Sequence, residues 1–128
     1  VRRCLVPGGK FSATLFGSRT FEELLSCLQA VNPPLKLRRL PSLKKVQEAL
    51  DQAGFSQSQA EYELIKVQFK DVMELIVWLK SIGANNLAGE NFFLGKQMLA
   101  KADEYYKQKF PYHEGIAASF EVIWINAQ

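Results

Sequence analysis

Leu5-Val6-Pro7-Gly8-Gly9-Lys10-Phe11, running on into Ser12-Ala13-Thr14-Leu15-Phe16, decides how this chain folds. Pro7 presets φ, the two glycines permit a tight turn with positive φ, and the alternation from Phe11 to Phe16 predicts a β-strand. An element of this kind ordinarily lies deep inside an α/β protein. Here it opens the chain, with no initiator Met and no earlier strand or helix to pack on. The expectation is the C-terminal piece of something larger, a single partial domain spanning residues 1–128.

Past the strand, Gly17-Ser18-Arg19 breaks the pattern and Thr20 opens a helix. Thr20 with Glu23 predicts a capping box, hydroxyl and carboxylate each satisfying an orphan N–H, ahead of the stripe Phe21, Leu24, Leu25, Leu28. Asn32-Pro33-Pro34 ends that helix, and residues 32–41 read as an extended, proline-bracketed linker. Ser42 caps a second helix from Leu43 to about Ala53, closed by Gly54 at the C′ position. Ala60 to Phe69 is rich in β-branched and aromatic residues and reads as a strand. Asp71 and Glu74 start another helix, whose apolar residues from Val72 to Ile82 predict burial on more than one side. Gly83 terminates it, and residues 85–93 read as a loop. An amphipathic helix follows from Lys96 to about Lys109, stopped by Pro111. Ile116 to Ile125 is the last and most hydrophobic strand.

The composition, 48 % hydrophobic and 23 % charged over 128 residues, is that of a globular domain with one modest core. No apolar run approaches the roughly 20 residues that span a bilayer. The expectations are a cytoplasmic protein and no membrane partner. Cys4 and Cys27 have no metal-ligand spacing, so no metal site is expected. The net charge is only +3, yet no acid occurs between Leu24 and Gln47, where Lys36, Arg38, Arg39, Lys44 and Lys45 cluster. Such a stretch is either a solvated face or a docking surface for an acidic partner.

Catalytic constellations are missing. His113 sits in a turn beside no nucleophile, no carboxylate pair lies on an acid/base scaffold, and neither GxGxxG nor GxxxxGK[ST] is present. No catalytic or cofactor-binding residue is therefore assigned. Tyr105-Tyr106 with Lys107 and Lys109 suggests a nucleic-acid patch, but Asp103 and Glu104 on the same helix oppose it. No nucleic-acid partner is expected.

The element order is that of the second half of a doubly wound sheet. Leu5-Val6-Pro7-Gly8-Gly9-Lys10 resembles the segment before the fifth strand of class I S-adenosylmethionine-dependent methyltransferases, and the helix running into Ala53-Gly54-Phe55 resembles the next helix of that fold. Leu79-Lys80-Ser81-Ile82-Gly83-Ala84, with Arg39-Leu40-Pro41 upstream and Phe120-Glu121-Val122-Ile123-Trp124 at the end, is similar to the biotin-synthesis malonyl-acyl-carrier-protein O-methyltransferases. The resemblance covers essentially the whole chain.

It implies an α/β fold, the C-terminal part of a Rossmann-like sheet. Three strands would lie in the order five-seven-six, the last antiparallel, with about four helices and with residues 18–41 and 70–112 as cap or insert segments. Strand 116–125 would be central, leaving the edge of strand 11–16 open to a dimer contact. It further implies a parent enzyme that transfers a methyl group from S-adenosylmethionine to the free carboxylate of malonyl on acyl carrier protein. The isolated chain would lack the cofactor-binding half and be inactive. Phe16, Gly17, Arg38 and Arg39 would line the substrate site, and Lys36, Lys44 and Lys45 would dock the acidic carrier. Another small-molecule methyltransferase, or a non-catalytic module binding an acidic protein, are the alternatives.

Overall fold

A computed structural model describes residues 1–33, 39–83 and 95–128. Lys36, Arg38 and the loop read over residues 85–93 lie outside the described residues. A 3-10 turn at Arg2–Cys4 precedes β1 (Phe11–Phe16), α1 (Glu22–Val31), α2 (Leu43–Gln52), β2 (Ser58–Phe69), α3 (Val72–Ser81), α4 (Lys96–Lys109), β3 (Pro111–Tyr112) and β4 (Gly115–Ala127). The strand order is β1-β4-β2, with β3 as a short hairpin partner of β4. The predicted central position of the last strand is therefore observed, and β3 is an addition to the expected three strands. β1 and β4 are antiparallel, from Phe11 opposite Ala127 to Phe16 opposite Val122.

The Pro-Gly-Gly segment forms a hydrogen-bonded turn, Gly9 N–H donating to the Val6 carbonyl at 2.8 Å. Of its two glycines only Gly8 has positive φ (76°). Pro at the second position and a positive-φ Gly at the third is the type II pattern. Gly9 is there for space, since a Cβ would lie 2.9 Å from the Val6 carbonyl oxygen.

Contacts divide the chain into two compact units. The first comprises Val1–Thr20, Leu40–Ile65 and Phe120–Gln128. Its core is one face of the sheet covered by α2. Val46 and Leu50 pack with Ile123, Ile125 and Ala127, joined by Phe11, Ala13, Leu15 and Phe55. Because side chains alternate along a strand, Ser12, Thr14 and Phe16 with Trp124 and Asn126 occupy the opposite face, and all five are exposed. Ser42 caps α2 as predicted, accepting from Lys45 N–H at 3.3 Å, and Gly54 follows at φ 75°.

The second unit comprises Phe21–Arg39 and Lys66–Ser119. α1 and α3 both pack on α4. Asp71 caps α3 by accepting from Glu74 N–H at 2.8 Å, and Asp103 of α4 accepts from Val72 N–H at 3.0 Å. Two expectations are corrected here. α3 is buried along one side only, by Val72, Leu75 and Leu79, while Met73, Val77 and Ile82 are exposed. The capping box at Thr20 and Glu23 does not form. Phe21 is the N-cap, in the left-handed region at φ 58°, with no side-chain cap. Glu23 instead turns inward and accepts from the backbone N–H (3.0 Å) and the hydroxyl of Ser119. A long-range buried partner outcompetes a local exposed one, because Ser119 is itself buried and needs an acceptor.

Beside Glu23 lie two further buried groups. The Tyr106 hydroxyl donates to the Ala117 carbonyl at 2.5 Å. Burial, then the charge of Glu23, then Cys27 push its pKa up. Burial and the Glu23 charge push the Cys27 thiol from 9.0 up to about 12. A raised thiol pKa favours the neutral form in the folded state. Its stabilisation is complete below about pH 9 and is lost as pH rises toward about 12. Unfolding by denaturant at stepped alkaline pH should show this decline, and Cys27→Ala should lessen it, leaving the part that the Tyr106 hydroxyl contributes at higher pH. At neutral pH exposed Cys4 should alkylate rapidly and Cys27 only on unfolding.

Candidate functional site

In open α/β sheets ligands bind beyond the carboxyl ends of the strands. In the first unit that directs attention to the end of β1, where Phe16 and Gly17 stand. The structure places these two on opposite faces. Phe16 points to the open face, 44 % exposed, with its ring 5.9 Å from that of Phe120. Gly17 is buried and lies directly across from Glu121, donating its N–H to the Glu121 carbonyl at 2.7 Å.

Glu121 is the residue that the sequence reading passed over. It sits inside the most apolar strand, only 5 % exposed, and that misplacement was the available signal. Its side chain lies over Gly17, where any Cβ would collide with the carboxylate. Thr20 fixes its backbone: the Thr20 hydroxyl oxygen accepts from Glu121 N–H at 3.1 Å and donates to the Glu121 carbonyl at 3.3 Å. The carboxylate oxygen Oε1 is buried and has no hydrogen-bond partner among the described residues.

Lys44 and Lys45 stand on the first turn of α2, both exposed. Phe55, just past the far end of α2, stacks on Phe11 at the start of β1, with ring centroids 6.3 Å apart. α2 packs along the strand between these points, so its first turn lies toward the carboxyl end of β1, the end that carries Gly17 and Glu121. Two cations at a helix N-terminus oppose its dipole. Among the described residues only Lys44 has a partial offset, Glu48 at 3.8 Å. Fold stability therefore gives no reason for Lys45. Arg39 is exposed in the second unit.

A depression of about 460 Å³ lined by Arg2, Arg3, Pro7, Gly8 and Gln128 lies at the amino end of β1, the wrong end of the strand for a ligand. Among the described residues no group of three or more His, Cys, Asp or Glu could hold a metal, and no helix is long and apolar enough to cross a membrane. The glycines with positive φ follow a turn before β1 and the ends of α2 and α3. Gly17, the one glycine among the described residues at a strand's carboxyl end, has its space filled by Glu121. The described residues thus do not fit an adenosyl cofactor.

Curated proteins named malonyl-acyl-carrier-protein O-methyltransferase match this chain along essentially its whole length. That of Methylococcus capsulatus is 27 % identical over 123 residues, covering 94 % of this chain and 45 % of the relative. That of Alcanivorax borkumensis is 27 % identical over 129 residues, covering 100 % and 44 %. That of Nitrosospira multiformis is 28 % identical over 134 residues, covering 99 % and 42 %. The chain resembles these methyltransferases from end to end. It spans less than half the length of the relatives it matches, in keeping with the resemblance to a C-terminal portion. No protein-family model matches it.

Proposed function

We propose that this chain is the C-terminal portion of an S-adenosylmethionine-dependent O-methyltransferase that esterifies the free carboxylate of malonyl on acyl carrier protein, a step toward biotin. The observation that carries this reading is the whole-length similarity to relatives so named. The strand order β1-β4-β2 is that of the far side of such a sheet. The methyl donor would be held by residues outside this chain, which on its own would be inactive. The enzyme would work in the cytoplasm.

In this reading the chain orients the acceptor and keeps water away. A carboxylate is already nucleophilic, so alignment matters more than a base. Lys44 and Lys45, with Lys36, receive the acidic carrier. Arg39 or Arg38 pairs with the malonyl carboxylate, a role suited to a planar bidentate donor. Phe16 and Gly17 end the strand at which the acceptor lies. The free edge of β1 is where a neighbouring strand adds, from the rest of the parent or from a second copy in a dimer.

Lys45 offers the decisive test. It occupies the third helical position after Ser42, so Lys45→Glu creates a Ser-x-x-Glu capping box and removes a cation from the positive end of the dipole. In the full-length protein this variant should gain about 0.5–1 kcal/mol in stability. It should also raise KM for malonyl-carrier protein several-fold, with KM for a small malonyl thioester unchanged. A stabilised enzyme with unaltered KM for the carrier-bound acceptor would remove the docking role.

A further inference from the structure

Glu121 carries more than the fold requires. A buried carboxylate oxygen without a donor is costly, and native structures retain such atoms where something else supplies the partner. Here the surroundings hold the group in place rather than satisfy it. Gly17 clears the space that the side chain occupies, Thr20 pins the backbone on both its N–H and its carbonyl, and Oε1 remains unpartnered among the described residues. The position is the carboxyl end of β1, where a ligand of this sheet is expected.

We propose that Glu121 Oε1 accepts a hydrogen bond from the amide N–H nearest the thioester of the methyl acceptor, and so positions the acceptor at the end of β1. This rests on the proposed function. A carboxyl oxygen that lacks a partner is an acceptor, so what fills the gap must be a donor. The malonyl carboxylate has no proton to offer. The thioester has no donor either. In the arm that joins an acyl group to its carrier, the first polar group beyond the sulfur is a secondary amide, which supplies an N–H. A buried acceptor also discriminates, since an analogue lacking the donor leaves Oε1 desolvated and unpaired.

The test compares two acceptors in the full-length protein: the malonyl thioester of N-acetylcysteamine, which carries the amide, and that of an alkyl thiol of equal length, which does not. Wild type should prefer the amide-bearing acceptor in kcat/KM by about tenfold or more. Glu121→Ala should abolish the preference by slowing only that acceptor. Glu121→Gln should keep part of it, because its carbonyl is a neutral and weaker acceptor. Equal rates on both acceptors in wild type, or a proportionate fall on both in Glu121→Ala, overturns the proposal while leaving the methyltransferase reading intact. Methylation of neither acceptor overturns both. Should Glu121→Ala not fold, Glu121→Gln decides alone, and an undiminished preference counts against the proposal.

Discussion

Glu23→Ala is expected to remove about 2–5 kcal/mol of stability, the cost of leaving two buried neutral donors without their acceptor. Glu23 is 5 % exposed and accepts both the backbone N–H and the hydroxyl of Ser119, itself 3 % exposed. Truncation strands two buried donors, each costing about 1–3 kcal/mol. For a domain whose whole stability is about 5–15 kcal/mol, that is a large share. Urea unfolding followed by circular dichroism measures it, with exposed Glu104→Ala as the reference. A loss no greater than the reference would mean that Ser119 finds another acceptor. Glu23→Gln should fall between, because it keeps one acceptor while adding an amide that the site has no use for. Both variants should also lower the pKa of Cys27 and Tyr106, since the Glu23 charge raises each after burial itself.

Gly17→Ala should destabilise by about 1–3 kcal/mol, the range for forcing an atom into filled space. The Cβ would land in the Glu121 carboxylate, so either that side chain or the β1–β4 pairing must shift. Because one clash causes the whole effect, the two positions should couple. In Gly17→Ala/Glu121→Ala the loss should be smaller than the sum of the single losses by about 1 kcal/mol or more. Strict additivity in the double-mutant cycle would show that Gly17 is required for some reason other than making room for Glu121. Gly17→Val, with a branched side chain, should be the most damaging of the three.

Much of the framework was legible because its signals are local. Ser42 and Gly54 bound α2, Asp71 and Gly83 bound α3, and Pro111 stops α4, each through its own backbone chemistry. The central place of β4 followed from its apolarity together with the family resemblance. What failed was decided by residues far apart in sequence. Thr20 and Glu23 have the spacing of a cap, yet Glu121 and Ser119, about a hundred positions on, claim them. α3 is apolar nearly all round, and composition could not say that Met73, Val77 and Ile82 would remain uncovered. Within the candidate site, Phe16 and Gly17 were marked by their place at a strand's end. Glu121 was not, because one acid in an apolar strand has no periodicity; only its register opposite a glycine gives it meaning.

The two outer strands of the sheet also differ in a way that bears on solubility. β2 carries Glu61, Glu63 and Lys66, charges that make its border a poor template for a stray strand. β1 holds six residues and not one charge. Its side chains, Ser12, Thr14 and Phe16 among them, offer a passing strand no repulsion. The sheet is thus asymmetric in its tolerance of neighbours: it has one guarded border and one left permissive.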